Sequence, residues 1–135
     1  MSEFRVHERL AQDSVWVADL PLSQIRVMNN RDFPWILLVP KVPEISEFFE
    51  LPDKVQISLI QEISVISRLL KEITQCHKIN VAWLGNQVPQ LHIHIIARKI
   101  TDHAWPNPVW GQGAHPYEPQ ELAGLIAGIQ QRLKT

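Results

Sequence analysis

His92 and His94 stand two residues apart in Val88-Pro89-Gln90-Leu91-His92-Ile93-His94-Ile95-Ile96-Ala97-Arg98. With period two this stretch reads as a β-strand. Leu91, Ile93, Ile95 and Ala97 point to one face, and Gln90, His92, His94, Ile96 and Arg98 to the other. The two imidazoles then lie side by side, roughly 6–7 Å apart along the strand. Three readings are open. The pair can belong to a half-exposed strand with no chemistry of its own. It can share a cation, since neutral imidazoles are metal ligands. It can also perform nucleophilic catalysis, one ring attacking while the other assists. A metal site needs at least a third ligand; folding can bring up His103 or His115, but nothing in their spacing demands it. A nucleophilic imidazole is neutral near pH 7, because its ordinary pKa lies near 6.5, and a backbone carbonyl can hold its second nitrogen as a donor.

Other residue types with reactive side chains carry weaker signals. Cys76 is the sole cysteine, so no internal disulfide exists, and an intracellular free thiol is expected. Its neighbour His77 faces away from it if both lie on a helix. Arg98, at a strand end, is expected to be a solvated charge. Thirteen basic and fourteen acidic side chains give a formal charge of −1, with no basic run. That excludes broad phosphate-backbone binding to nucleic acid and leaves room for a single nucleotide in a pocket. No apolar run approaches the roughly 20 residues of a membrane span, and no signal-peptide core occurs. The expectation is a soluble cytoplasmic protein, with residues 1–135 forming one domain.

The elements that must position the histidines follow from periodicity and turn residues. A helical turn at 10–14 leads into a short strand, Val15-Trp16-Val17. Residues 22–28 alternate as a strand with one wetter face. Asn29 to Pro34 is a loop, and Trp35-Ile36-Leu37-Leu38-Val39 is a central strand buried on both faces. A helical turn is expected at 45–49. Pro52 and Asp53 open a long amphipathic helix whose stripe is Val55, Leu59, Ile63, Ile66, Leu70 and Ile73, ending near Cys76. Ile57, Ile60, Val65 and Leu69 widen that stripe toward a deep core or a second chain. Asn80 to Leu84 is the next strand, and Gly85 to Pro89 turns into the histidine strand. A Pro- and Trp-rich segment carrying Trp105 and Trp110 precedes a last helix from Pro119. The fold class is α+β: about five antiparallel strands covered on one side by a long helix and a C-terminal helix. No Gly-x-Gly-x-x-Gly occurs.

Gly85 to Arg98 resembles the motif of the histidine triad (HIT) family, His-φ-His-φ-His-φ-φ with φ apolar, and the order of elements resembles the family across most of the chain. The family's second and third triad positions fall on His92 and His94, while Gln90 stands at the first. Gln90 keeps the backbone carbonyl that fixes the nucleophile's tautomer but lacks a titratable ring. The resemblance implies catalysis by His92, His94 and Gln90. His92 would attack a nucleotide α-phosphorus, forming a nucleotidyl-histidine that water then hydrolyses, and His94 would contact the phosphate. Substrates of the dinucleoside polyphosphate, nucleoside phosphoramidate or adenylate type are implied, a purine nucleotide foremost, with no metal or other cofactor and no nucleic-acid or membrane partner. Asn80 and Gln87 resemble phosphate-contacting positions, and Asn29 (or Asn30, one register on) a ribose-holding one. A homodimer is implied, with Trp105 and Trp110 capping the cleft or meeting the partner. The alternative is a nucleotide-binding or interaction module whose catalysis Gln90 has weakened or removed.

Overall fold

The structure, a computed structural model, describes residues 3–134. Its strands are Ser14–Asp19 (β1), Ser23–Met28 (β2), Trp35–Pro40 (β3), Lys78–Ala82 (β4) and Ile93–Arg98 (β5). They form one antiparallel sheet in the order β1-β2-β3-β5-β4. The helices are Glu8–Asp13 (α1), Asp53–Thr74 (α2) and Pro119–Leu133 (α3). This is the expected α+β architecture. The apolar run at Trp35 becomes the centre of the sheet: all six residues of β3 are buried, because helices cover one face and chain segments the other.

Two apolar layers flank the sheet. One holds Val17, Ile25, Ile36, Leu38, Leu91, Ile93, Ile95 and Ala97 against Leu59, Ile63, Ile66 and Leu70 of α2 and Ile129 of α3. The period-two face of the histidine stretch thus enters the main core. The second layer accounts for the expected burial of β3 on both faces but extends beyond the one-sided cover expected for the sheet. Leu10 of α1, Phe33, Trp35, Leu37, Val39, Val88, Ile96, Ala104 and Val109 close the other face, so the sheet is covered on both sides rather than one. The supposed wetter face of β2 is accordingly half-closed, with Arg26 buried and bonded to Ser14.

Boundaries moved where long-range pairing outweighed local pattern. β5 begins at Ile93 rather than at Gln90, since the Leu91 N–H donates to the Ile45 carbonyl in the connector instead of pairing with β3. β4 lies two residues earlier than the run Asn80 to Leu84, because the His77 N–H already pairs with the Arg98 carbonyl. Trp83 leaves the sheet and stacks on Phe48 at 5.1 Å between ring centroids. Gly85, at φ +65°, then reverses the chain, a conformation that disfavours any residue with a Cβ. The helical turn expected at 45–49 is a single 3₁₀ turn, Phe48–Glu50. In α2, Pro52 and Asp53 open the helix and Gln75 closes it in the left-handed conformation. Ile57, Ile60 and Val65 of α2 stay exposed, so the widened stripe is not consumed by this chain's own core.

Arg98 is corrected most sharply. It is 1% exposed, not solvated. Its guanidinium pairs with Asp102 at 2.8 Å, donates to Asn80 Oδ1 at 2.9 Å and to the Asn107 carbonyl at 2.7 Å, and lies between the rings of Phe33 and Trp105. The charge-assisted bonds hold Asp102 ionised below the usual carboxylate range. Thus one buried cation ties the end of β5 to the Trp-rich segment. Removing it leaves Asp102 and Asn80 without their donor, so Arg98→Ala should cost about 3–5 kcal/mol of unfolding free energy. Urea denaturation of the variant tests this; a loss under 1 kcal/mol would show the network to be dispensable.

Candidate active site

His92 and His94 meet at a cleft of about 370 Å³. The sequence places them there by two local devices. His94 occupies the second position of β5, opposite Leu37 on β3 and Ala82 on β4, and its side chain points away from the helical layer. His92 sits just before the strand, where the chain has left the β3 ladder, so the rings converge. Their centroids are 4.9 Å apart at 70°, edge toward face. Both residues are buried, which overturns the reading of a half-exposed strand.

Each ring has its Nδ1 committed. His92 Nδ1 lies 2.6 Å from the Gln90 carbonyl oxygen, which can only accept, so Nδ1 carries the proton and Nε2 the free lone pair. His94 Nδ1 lies 3.0 Å from the indole Nε1 of Trp35, which can only donate, so His94 accepts there and carries its proton on Nε2. Burial pushes the His92 pKa below the ordinary imidazole value, partly offset by the Gln90 carbonyl, with a smaller downward push from His7. Burial, aided by the neighbouring His92, pushes His94 down to about 3. Two neutral imidazoles thus present one acceptor and one donor nitrogen. That is a nucleophile beside a hydrogen-bond donor.

The Gln90 side chain turns away from the cleft to the N-terminal segment. Its amide donates to the Arg5 carbonyl at 2.7 Å, and its Oε1 accepts the His7 N–H at 2.8 Å. His7 Nδ1 in turn caps α1 by accepting the Arg9 N–H. This clamp sets α1 beside the histidines, where Arg9 and Asp13 line the cleft. Gln87 and Asn86 line it as well, both delivered by the turn at Gly85.

Asn29 and Asn80 are placed elsewhere. Asn29 Oδ1 accepts the Tyr117 N–H at 2.9 Å, and Asn80 is bound to Arg98; neither lines the cleft, although Met28, beside Asn29, does. Asn30 is buried and bonds the loop to the tail through Asp32, Gly113 and His115. Trp110 packs edge-on to both His94, at 5.1 Å, and Trp35, at 5.7 Å, and so walls the cleft. Trp105 covers Arg98 instead. His103 packs on Phe33 and His115 pairs with Asp32, and neither lines the cleft. Cys76 is buried in the helical core. Trp110 caps the cleft, one of the two roles expected of it, whereas Arg9, Asp13, Trp35 and Asn86 escaped the sequence reading. Only Trp35 carried a signal, as the one aromatic of an apolar strand.

The fold that carries this site, a five-stranded antiparallel sheet with helices, is shared with histidine triad proteins of known structure. One from Bradyrhizobium japonicum is 44% identical, with 96% of this chain and 98% of that one covered and a TM-score of 0.94. Another, from Marinobacter aquaeolei VT8, is 42% identical, with 98% of each chain covered and a TM-score of 0.95. A histidine triad protein from Sinorhizobium meliloti 1021 is 43% identical over 95% of this chain and 96% of that one, at a TM-score of 0.92. No curated protein matches the chain. The HIT domain model matches residues 9–101, and the chain belongs to the HIT domain family. Members of that family are generally nucleotide-binding hydrolases or transferases.

The imidazole shifts have a stability consequence. The unfolded chain takes up protons on these rings near 6.5, whereas the folded chain does not take one up on His94 until about pH 3. Stability is therefore highest above 6.5 and falls as the pH drops below it. Calorimetric Tm values between pH 7.5 and about 5, above the main carboxylate range, should fall less steeply in His94→Gln than in the native protein. Equal slopes would show that His94 titrates normally.

Proposed function

We propose that this protein is a nucleotide hydrolase or transferase that acts at an α-phosphorus through a covalent nucleotidyl-His92 intermediate. The observation that carries the reading is the 2.6 Å contact of His92 Nδ1 with the Gln90 carbonyl, which leaves Nε2 unprotonated at the cleft. Lone-pair attack by Nε2 displaces the group on phosphorus, and water then cleaves the P–N bond to give a nucleoside monophosphate. His94 Nε2–H donates to a phosphate oxygen as its charge develops. Gln87 and Asn86, in the lining of the same cleft, supply amide donors for the other oxygens. A purine nucleotide in a dinucleoside polyphosphate, phosphoramidate or adenylate is the substrate class. No metal enters this scheme, because imidazole supplies the nucleophile directly. Asn29 and Asn80 act at one remove, by holding the tail and Arg98.

The protein works as a homodimer in this reading. β4 is an edge strand with Val81 exposed, Trp83 and Leu84 just beyond its end are exposed, and so are Ile57, Ile60 and Val65 of α2. Unpaired edges and apolar patches of this kind are covered in stable proteins. Sedimentation showing only monomer at micromolar concentration would remove the dimer. A reduced, buried Cys76 suits a cytoplasmic setting.

Turnover of an adenosine phosphoramidate and a diadenosine polyphosphate, with chelator present, tests the enzyme. His92→Ala should lower kcat/KM by about 1000-fold or more, since it removes the bond-forming group. Saturable binding of a nucleoside monophosphate without turnover would instead mark a binding module. Turnover that stops on adding chelator would bring metal chemistry forward.

A further inference from the structure

We propose that Trp35 is a positioning residue that locks His94 as the Nε2–H tautomer. The cleft can then donate a hydrogen bond to the transferring phosphate but cannot protonate the departing group, and it favours substrates whose leaving group departs as a stable anion. This rests on the reaction proposed above and divides its substrate types.

The lock follows from donor chemistry. An indole nitrogen has no lone pair to offer, so its 3.0 Å contact with His94 Nδ1 has a single polarity. A neutral imidazole has one N–H, which must then sit on Nε2. A second proton would set an N–H against the N–H of Trp35, inside a buried contact. Leu37 and Ala82 flank His94 on the neighbouring strands, and the Trp110 ring lies edge-on at 90°. Desolvation there, with His92 alongside, holds the His94 pKa near 3.

Among the described residues that line the cleft, no other group takes over as acid; His7, whose charge reaches His92, is not part of that lining. His92 keeps its Nδ1 proton on the Gln90 carbonyl, which cannot relay it. The Gln90 amide does not titrate and is bound to Arg5 and His7. Arg9 and Asp13, the other charged groups at the cleft, supply a permanent cation and a carboxylate acceptor. The balanced step is therefore proton-free. The N–P bond forms from the Nε2 pair, the bridging P–O bond breaks, and its electron pair leaves on oxygen as a phosphate or carboxylate. His92 becomes a cationic nucleotidyl-imidazolium. Water then attacks phosphorus, the P–N pair returns to Nε2, and the proton of water goes to solvent. An amine leaving group would have to take a proton that no residue here provides.

Two measurements test this. The first is long-range ¹H–¹⁵N NMR of the native protein between pH 5 and 8. His94 should hold one tautomer, Nε2–H, throughout; an Nδ1–H signal, or titration near 6.5, would overturn the lock. The second compares kcat/KM for an adenylate anhydride with that for adenosine phosphoramidate. Since positioned general acids contribute about 10²–10⁴-fold, the anhydride should lead by about 100-fold or more. Trp35→Phe, which frees Nδ1, should narrow the gap while His94 becomes a tautomer mixture. Equal rates in the native protein would refute the selectivity. Absence of turnover with both substrates would count against the hydrolase reading, and the NMR result would judge the lock by itself.

Discussion

Both imidazoles surrender Nδ1 to the protein interior, and the rest of the structure is arranged so that they can. A carbonyl takes one and an indole N–H the other, which gives neighbouring, chemically identical side chains opposite polarity at Nε2. The difference survives only while water is kept from the Nδ1 edges, because a solvated imidazole exchanges tautomers freely. A sheet covered on one face would leave the pair wet. The second apolar layer, built from α1 and the Trp-rich segment against β3 and β5, is thus part of the site's chemistry as well as of its stability.

Gln90 shows how one residue can serve two neighbours. Its carbonyl orients His92, and its amide grips Arg5 and His7. One planar amide thus binds two backbone groups of opposite polarity, the Arg5 carbonyl and the His7 N–H. What the site loses in a titratable group, it gains in a fixed N-terminal segment that brings Arg9 and Asp13 to the cleft.

The sequence was informative where burial is periodic. The unbroken apolar run of β3, the stripe of α2 and the alternation Leu91, Ile93, Ile95, Ala97 each led to the right layer, because a face that enters a core must repeat with the backbone. The histidine pair was legible for the same reason. What stayed hidden depends on contacts far along the chain. Trp35 and His94 are 59 residues apart, and Gln90 lies 83 from His7. Arg98 looked solvated because the sequence does not show that Asp102, Asn80 and Asn107 converge on it. Asn29 and Asn30 looked like ligand contacts because a polar residue at a strand end satisfies a tail backbone and a sugar hydroxyl equally well on paper.

These remote contacts bear on the histidines through one causal sequence. Arg98 fixes Asp102 and Asn107, and so the start of the segment that carries Trp110. Asn29 and Asn30 fix its far end, at Tyr117 and at Gly113 and His115. Held at both ends, the segment lays Trp110 against His94 and Trp35. Desolvation is the largest cause of the depressed pKa at both imidazoles, and the Trp110 ring covers His94 edge-on. A buried arginine and two loop asparagines, none of them lining the cleft, therefore help to keep the nucleophile's neighbour a neutral donor.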